Sequence, residues 1–566
     1  MGPERVHFEA EVVIIGGGTA GCLAAVTIKE QAPTARVIIM EKADIRRSGC
    51  LAAGVNVIKA YLHPGETPES FLKDIRHEAR GLVREDLVLS AAKRLNEVVE
   101  KVERWGLSIL KNANGAYLPH GRWGIKVDGE KLKPLLAEKV KEKEVKVLNR
   151  VAATNYLLSK EGRVIGVAGI GVRDACFYII KASTILCTTG GCAGLYRSRN
   201  PVDGHHQIWY SPFNTGSGYA MGIRAGAEMT SFEMRFIALT IKDVASSISI
   251  LTRDCGAYLL NSYGQQYLTS KNDTVSDLPF PSCLSLFAYL QELKEGRGPC
   301  FLETRQLTDK QVRELKESYL NENPATVLYW VTNGVEPEKK PVEISSTEPY
   351  IVGGHGQAGY WIDQERRTTI GGVYACGDVA GGYPSKYIGG SWAEAIIAGE
   401  TIVDQLTSVV GDHELMAGIF LEEQRVFAPL ERYRRGLTGI EPWEMEERLQ
   451  KIMEEYAGGI SCRYELSEPR LLRAKEDLSQ LNDQVSYLLA KNSHQLMKAH
   501  EVLDLLDVAK VTVEHLLYRR ETRWPGFQTR VDYPERCDLH WRKFINSRRN
   551  HNGAIEMIER PYHQLI

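Results

Sequence analysis

The stretch Glu11-Val12-Val13-Ile14-Ile15-Gly16-Gly17-Gly18-Thr19-Ala20-Gly21 is an apolar run that leads directly into a glycine-rich turn. The run predicts a buried strand, and the apolar residues after Gly21 predict the start of a helix. In a G-x-G-x-x-G turn, Gly16 allows the tight bend, Gly18 lets phosphate oxygens approach the backbone, and Gly21 lets helix and strand pack closely. The helix N-terminus adds unpaired N–H groups that attract anions. The stretch therefore predicts a site for the pyrophosphate of a dinucleotide.

An acidic residue at a suitable distance supports this interpretation. Glu41 stands twenty residues after Gly21 and directly follows a second apolar run, Val37-Ile38-Ile39-Met40. A carboxylate at the end of the second strand of a βαβ unit can accept both hydroxyls of a ribose. The N-terminal segment thus indicates a site for the adenosine half of a dinucleotide.

A second glycine-rich segment lies far along the chain, at Thr369-Ile370-Gly371-Gly372-Val373-Tyr374-Ala375-Cys376-Gly377-Asp378-Val379. Its apolar part predicts a strand that delivers Gly377 and Asp378 to a loop, and a helix is predicted from Ser391 to Leu406. The Asp378 carboxylate would reach the ribityl chain of a flavin, and the helix N-terminus would point at the isoalloxazine. Two separated segments that enclose one extended cofactor favour FAD over NAD.

Composition places the chain among large soluble enzymes. Its 566 residues are 43% hydrophobic and 25% charged, which allows a sizeable core and two or three domains. The net charge of -2 gives no reason to expect nucleic acid. We find no transmembrane segment, because no apolar run reaches the roughly 18 residues that a spanning helix needs. A signal peptide is also not recognisable, so we expect a cytoplasmic protein.

The cysteines argue against a metal centre in this chain. None of the eleven cysteines forms a C-x-x-C pair, so the sequence encodes neither a zinc site nor an iron–sulfur cluster. If electrons pass through iron and sulfur, a partner subunit must carry the clusters.

The order of predicted elements indicates a discontinuous domain arrangement. Apolar residues at helical spacing predict helices from Glu85 to Trp105, from Thr308 to Leu320 and from Asp483 to Arg519. A charged, proline-containing loop at residues 335–341 falls within an inserted mixed segment. We therefore divide the chain into a first FAD-binding segment (1–231), an inserted domain (232–350), a second FAD-binding segment (351–405) and a helical C-terminal domain (406–566).

Several stretches resemble the alpha subunit of dissimilatory adenylylsulfate reductase. The resemblance covers nearly the whole chain and places it in the superfamily of fumarate reductase and succinate dehydrogenase flavoproteins. The stretches that carry it are Glu41 to Gly49, Val83 to Leu87, Gly121 to Trp123, Trp209 to Ser217, Ala225 to Met229, Gly354 to Gly356, Ala375 to Asp378 with Lys386, and Thr522 to Gly526.

The resemblance implies an α/β fold. A Rossmann-type FAD-binding domain would carry an inserted α+β capping domain, followed by a helical C-terminal domain. Non-covalent FAD is implied, since Gly49 stands near the place where membrane-bound fumarate reductases have the histidine that carries the flavin. The cofactor-binding residues would be Gly16, Gly18, Thr19, Ala20, Gly21, Glu41, Lys42, Ser48, Gly49, Gly54, Gly190, Gly377, Asp378 and Ser391.

The resemblance also suggests a site for a small anionic substrate. Arg235 matches an arginine that lies close to the flavin in adenylylsulfate reductases, and His355 matches an active-site histidine of the superfamily. A fixed cation there would stabilise developing negative charge. The substrate-binding residues would be Lys59, His120, Trp123 and Lys386.

Three positions depart from the adenylylsulfate reductase pattern. Lys59 stands where that family has an asparagine, His120 where it has a glutamate, and Ser285 where it has a substrate-binding arginine. The sequence therefore leaves the substrate open, together with the physiological direction and any assembly beyond a heterodimer.

A further stretch, Leu251 to Asn261, resembles the run in succinate dehydrogenases whose arginine delivers a proton to the substrate carbon. Arg253 is therefore a third catalytic candidate. Because an arginine stays protonated near neutral pH, clamping an anion demands less of Arg253 than donating a proton.

These patterns leave three functional hypotheses. In the first, the chain is an FAD-dependent oxidoreductase that converts adenylylsulfate to sulfite and AMP, with electrons from a small ferredoxin-like iron–sulfur subunit. In the second, it reduces an activated C=C bond of an unsaturated acid, as fumarate reductases do. In the third, it relays electrons without a substrate of its own. The basic and aromatic stretch Tyr518 to Trp524 is our candidate interface for the partner.

Overall fold

The computed structural model describes residues 3–52, 54–198, 208–253, 255–268, 281–406 and 415–566. For Arg253 and residues 415–417 it describes the backbone alone. Within these ranges, no helix is long and apolar enough to cross a membrane.

The phosphate loop, residues 16–21, follows the central strand of a parallel sheet, at the edge where the carboxyl ends of the strands lie. Across the sheet the strands are β20 (Val373–Ala375), β12 (Thr184–Cys187), β2 (Val12–Ile15), β3 (Val37–Glu41) and β8 (Lys146–Asn149). The first four are buried along their whole length, as expected of a parallel sheet covered on both faces. Because parallel strands end at the same edge, the segments after β2, β12 and β20 meet there.

Two further sheets lie within residues 1–231, the first segment that we predicted to bind FAD. One contains β1 (Arg5–Glu9), β11 (Phe177–Lys181), β10 (Val164–Gly171) and β9 (Val151–Leu158). The other contains β4 (Val57–Lys59), β7 (Gly124–Asp128) and β5 (Ser108–Ile109), with β6 (Pro119–His120) also paired to β7. In the second sheet, Lys59 ends β4 and His120 ends β6, and both of these strands pair with β7.

The inserted segment, residues 232–350, contains a five-stranded sheet and four helices in its described part. Its sheet runs β15 (Ser246–Ser247), β14 (Leu239–Ile241), β18 (Val342–Ser346), β17 (Phe301–Glu303) and β16 (Tyr258–Leu260). Its helices are α7 (Ser249–Arg253), α8 (Ser282–Lys294), α9 (Asp309–Glu322) and α10 (Pro324–Asn333). Helix α9 begins with a capping box at Thr308 and Gln311, which satisfies two N–H groups of its first turn.

The remaining described helices lie outside the inserted segment 232–350. They are α1 (Thr19–Gln31), α2 (Pro68–Glu78), α3 (Glu85–Ala92), α4 (Leu95–Arg104), α5 (Leu132–Glu142), α6 (Ser217–Arg224), α11 (Tyr387–Asp404), α12 (Leu415–Arg434), α13 (Pro442–Tyr456), α14 (Glu468–Asp483), α15 (Ser493–Tyr518) and α16 (Asp538–Trp541).

Two helices predicted from the sequence are interrupted. The single helix expected from Glu85 to Trp105 is split into α3 and α4, because α3 packs into one hydrophobic core and Val98, Val99 and Val102 of α4 pack into another. The helix predicted from Asp483 to Arg519 is also interrupted, because α14 ends at Asp483 and α15 begins only at Ser493. The Asn492 side chain caps the start of α15 by accepting a hydrogen bond from Gln495 N.

The described part of the C-terminal region is mainly helical and also contains strands. Its end forms a hairpin of β23 (Lys543–Arg549) and β24 (Ile555–Pro561), which joins β13 (Met229–Thr230) and β19 (Gly359–Tyr360) in one sheet. A short parallel pair, β21 (Glu465–Leu466) and β22 (Thr529–Arg530), lies nearby in sequence. Backbone pairing with β13 fixes a tail whose side chains show no strand periodicity.

Candidate active site

The phosphate loop has the geometry that its glycines predict. Gly16 has φ of 102°, and a Cβ atom there would lie 2.7 Å from the Thr188 carbonyl oxygen. At Gly21 a Cβ atom would lie 2.0 Å from the Gly16 carbonyl oxygen, so only glycine lets α1 pack on the turn. Helix α1 starts at Gly18 without a side-chain cap, which leaves its first N–H groups available to an anion.

Glu41 is tied to the same loop. Its carboxylate accepts hydrogen bonds from Gly17 N at 2.8 Å and from Ala43 N at 2.7 Å. The Ser48 hydroxyl donates to the Gly17 carbonyl at 3.4 Å. These bonds orient Glu41 and the segment after β3 around the loop, with further acceptor capacity on the carboxylate for ribose hydroxyls.

Lys133 is a buried cation beneath the phosphate loop that our sequence analysis missed. Its ammonium group donates to the Gly17 carbonyl at 2.6 Å and to the Ile45 carbonyl, and lies 3.6 Å from Cys22 Sγ. The sequence does carry a signal, because Lys133 precedes Leu136, Ala137 and Val140 at the spacing of the apolar face of α5.

The second glycine-rich segment meets the first. A Cβ atom at Gly377 would lie 3.2 Å from Ala20 Cβ on α1 and 3.9 Å from Ser391 on α11. The neighbouring Asp378 carboxylate accepts a hydrogen bond from the Tyr210 hydroxyl at 2.8 Å. Burial raises the pKa of Asp378, and the Tyr210 hydrogen bond opposes that shift.

His355 lies in a cage of aromatic rings. Its ring centroid is 4.7 Å from Trp209, 4.8 Å from Phe236 and 5.0 Å from Tyr387. Burial, assisted by the positive charge of Lys59, lowers the pKa of His355 to about 3. The imidazole is therefore neutral at physiological pH and can act as a hydrogen-bonding group but not as a cation.

Lys59 supplies a positive charge beside this cage. Its ammonium nitrogen lies 3.9 Å from the centroid of the Tyr387 ring. Gly389 brings strand and helix together, since a Cβ atom there would lie 2.7 Å from the Lys59 carbonyl oxygen. Lys59, Tyr387 and His355 therefore form one cluster where β4 meets the N-terminus of α11.

The residues present fit FAD. Buried polar atoms without a hydrogen-bond partner among the described residues include His355 Nδ1, Thr215 Oγ1 and Tyr383 Oη. Such atoms are costly unless a ligand or water satisfies them. The uncapped start of α1, the Glu41 carboxylate and the loop at Gly377 supply donors and acceptors for an extended cofactor.

Arg235 does not face this cluster, which corrects the role that we inferred for it. Its guanidinium is fully buried and donates to backbone carbonyls of the C-terminal region and to the Tyr196 hydroxyl. The carbonyl acceptors are Ala457 at 2.7 Å, Gly458 at 2.6 Å, Tyr464 at 3.1 Å and Phe527 at 3.1 Å. Arg235 thus joins two parts of the C-terminal region to the segment after β13.

Lys386 also has a structural role instead of the expected substrate contact. The side chain is fully buried, and its ammonium donates to the Gly377 carbonyl at 2.7 Å and the Ala380 carbonyl at 2.8 Å. The third partner is Glu394, at 3.0 Å. These partners use all three ammonium donors, so Lys386 fixes the Gly377 loop.

The other predicted residues are distributed around the site. Trp123 donates to Asp74 and packs edge-on against Phe71 at 5.2 Å, so its indole is tied to α2. His120 is buried in β6, where it pairs with Gly124. Lys42 binds the Glu501 carboxylate at 2.8 Å.

Further predicted positions have backbone or local roles. Gly49, Gly54 and Gly190 have positive φ values of 79°, 127° and 76°, which favour glycine. The Ser285 hydroxyl donates to the Pro281 carbonyl within α8 at 3.4 Å. Arg253 ends α7, and its side chain lies outside the part of the structure that is described.

The stretch that we expected to form a partner interface is mostly interior. Arg519, Glu521, Arg523 and Trp524 are fully buried. Arg519 forms ion pairs with Glu233 at 2.7 Å and with Glu521 at 2.9 Å, so two buried carboxylates balance its positive charge inside the protein. The prediction of an interface at Tyr518 to Trp524 was wrong, because the basic residues serve an internal ion-pair network.

Comparison with known proteins agrees with this geometry. Residues 11–392 match the family model described as FAD binding domain, and residues 446–564 match that of the fumarate reductase flavoprotein C-term. The chain therefore belongs to the FAD-binding flavoprotein family. FAD as cofactor, the fold class and the class of flavoprotein oxidoreductases are confirmed.

Within that family the chain is similar to adenylylsulfate reductase. It is 27% identical to the alpha subunit from Megalodesulfovibrio gigas, over 100% of this chain and 97% of that protein. The solved adenylylsulfate reductase of Archaeoglobus fulgidus superposes with a TM-score of 0.95 at 32% identity, covering 99% of this chain and 97% of the other. An adenosine-5-phosphosulfate reductase in complex with sulfite as a covalent adduct gives the same TM-score, identity and coverage. The resemblance found in the sequence is confirmed.

Proposed function

We propose that this FAD-dependent oxidoreductase is an alpha-type subunit that reduces adenylylsulfate to sulfite and AMP. The observation that carries the proposal is the full-length similarity to adenylylsulfate reductases, one of which holds sulfite as a covalent adduct. The site chemistry supports it, since Lys59 provides a cation beside an aromatic cage that would exclude water from an anion.

FAD, when bound, supplies two electrons to a substrate held beside its isoalloxazine ring. The phosphate loop, Glu41 and Lys133 would hold its adenosine diphosphate half, while Asp378 and the start of α11 would hold the flavin half. His355 would orient an oxygen of the substrate through a neutral N–H donor. Lys59 would stabilise negative charge on the substrate.

We further propose that electrons arrive from a small ferredoxin-like iron–sulfur subunit in a heterodimer. The M. gigas relative is named as a subunit alpha, which supports an assembly with at least one other kind of chain. The iron–sulfur clusters would reside in that partner only. The internal position of Arg519 and Arg523 excludes Tyr518 to Trp524 as its main contact surface. A cytoplasmic location remains a prediction, which cell fractionation would test.

Sulfite titration of the oxidised holoenzyme tests the substrate class. We expect sulfite to bleach the flavin absorbance and AMP to weaken this response by occupying the adjacent site. Reoxidation of the reduced enzyme by fumarate, with no response to sulfite, would contradict the proposal and favour the unsaturated-acid hypothesis. Absence of any response to both compounds would favour electron relay without a substrate.

A further inference from the structure

Lys133 contacts the phosphate loop from inside the protein. It lies in the first turn of α5, and its side chain is fully buried. The ammonium group donates to the Gly17 carbonyl at 2.6 Å and to the Ile45 carbonyl, and its third contact is Cys22 Sγ at 3.6 Å. Lys133 therefore connects α5 to the loop after β2, to the segment after β3 and to α1.

The charge of Lys133 has no direct counter-ion in the described part of the chain. Its three acceptors are two carbonyls and a thiol, all of them uncharged. Three acceptors need three N–H donors, which only the protonated amine supplies. Glu41, the carboxylate of this network, accepts from Gly17 N at 2.8 Å instead. A buried charge in this position is costly unless an anion lies near it.

The contact with Lys133 sets the direction of the peptide between Gly17 and Gly18. In a trans peptide the C=O and the following N–H point in opposite directions. Because the Gly17 carbonyl is turned towards Lys133, the Gly18 N–H is turned away from it. Neither glycine has a Cβ atom that would restrict rotation of this peptide, so hydrogen bonds must hold it. Lys133 makes the shortest of them, since Ser48 and Cys22 reach the same carbonyl at 3.4 Å.

The backbone at Gly18 is accessible on the side away from Lys133. A Cβ atom at Gly18 would meet only the Thr188 carbonyl oxygen, at 4.0 Å. The Gly18 N–H donates to no acceptor among the described residues, and α1 starts there without a side-chain cap. An anion at this place would meet backbone N–H groups and the positive end of the helix, with the charge of Lys133 behind the peptide.

We propose that Lys133 is a positioning residue for the cofactor, which aims the Gly18 N–H at the pyrophosphate of FAD. The pyrophosphate would in turn balance the buried charge of Lys133. This role differs from that of Glu41, whose carboxylate addresses the ribose. The inference depends on FAD as the cofactor and not on adenylylsulfate as the substrate. Loss of Lys133 would free the peptide to rotate and remove a positive charge from the phosphate site, so FAD would bind more weakly.

Dissociation of FAD from the diluted holoenzyme, followed by the rise in flavin fluorescence, tests this inference. Lys133→Gln removes the charge and keeps a hydrogen-bond donor, whereas Lys133→Met removes both. We expect the dissociation constant for FAD to rise about tenfold in Lys133→Gln and about a hundredfold in Lys133→Met, as for the loss of charged hydrogen bonds. The matched control is Lys141→Gln on the same helix. The Lys141 side chain is 80% exposed, so this variant should bind FAD as the wild type does.

Phosphorus NMR of the FAD-saturated variants separates positioning of the phosphates from a general effect on folding. We expect the pyrophosphate resonances to shift in both Lys133 variants and to stay in place in Lys141→Gln. Unchanged FAD affinity in both Lys133 variants, or unchanged pyrophosphate resonances, would overturn the inference. Circular dichroism establishes folding, and a Lys133→Gln protein that does not fold with saturating FAD would also overturn it, because Lys133 would then serve the fold. None of these readouts depends on the substrate.

Discussion

At the scale of single residues, Glu41 connects the phosphate loop to the cofactor. Its carboxylate accepts two backbone hydrogen bonds and is buried, so it is held in place before any ribose binds. We predict that Glu41→Gln weakens FAD binding by about 1–3 kcal/mol, through loss of charge-assisted contacts. Fluorescence titration of the apoprotein with FAD measures the change. The exposed Glu138→Gln on α5 should leave affinity unchanged, and equal losses in both variants would contradict the assignment.

Arg235 provides a second test at this scale, because its role was misjudged from the sequence. If it holds backbone carbonyls, Arg235→Met should destabilise the protein by about 3 kcal/mol or more by leaving several buried acceptors unsatisfied. Denaturant unfolding monitored by circular dichroism measures this loss. A variant with unchanged stability and strongly reduced turnover would instead restore a catalytic role for Arg235.

The type of a charged residue does not reveal which groups its side chain contacts in the folded protein. Lys59, Arg235 and Lys386 were equivalent candidates by residue type, yet only Lys59 lies beside His355, while the other two bind backbone carbonyls. Lys133 could have been found from its place on an apolar helix face.

At the scale of elements, the start of α11 depends on close contact with β4. A Cβ atom at Gly389 would lie 2.7 Å from the Lys59 carbonyl and 2.9 Å from the Ala60 carbonyl. We predict that Gly389→Ala separates strand and helix, lowering both the melting temperature and the affinity for FAD. Gly418→Ala is the matched control. That position is exposed within α12 with open space at its Cβ, so alanine should stabilise the protein by about 0.5–1 kcal/mol. Equal effects of the two substitutions would contradict this account.

Elements defined by local pattern were predictable, and those defined by tertiary pairing were not. The β2, α1, β3 unit follows from apolar runs and glycines that are contiguous in sequence. The break between α3 and α4 depends on two separate hydrophobic cores, which the continuous helical periodicity conceals. The β23 and β24 hairpin pairs with β13, more than 300 residues earlier in the chain, and no local pattern records that pairing.

At the scale of the whole molecule, segments from distant parts of the chain would enclose FAD. We predict that it is held without a covalent bond, because Gly49 offers no nucleophilic side chain. Acid precipitation of the holoenzyme should release the yellow flavin into the supernatant. Flavin that stays with the protein pellet after washing in denaturant would contradict non-covalent binding.

The proposed partner is tested by purifying the protein from its native source. Co-purification of a small iron-containing chain is the expected result, because the flavin subunit needs a source of electrons and we propose that iron–sulfur clusters supply them. Isolation of a fully active, iron-free single chain with a physiological donor would contradict the heterodimer.

The central claim is that the site beside Lys59 and His355 reduces adenylylsulfate. The most direct measurement is turnover of adenylylsulfate by the anaerobic holoenzyme with reduced viologen as electron donor, following AMP and sulfite together. We predict that both products appear in equal amounts, with two electrons consumed for each molecule of adenylylsulfate that is reduced. If neither product forms while fumarate reoxidises the reduced flavin, the claim is wrong and the site belongs to an enzyme of unsaturated acids.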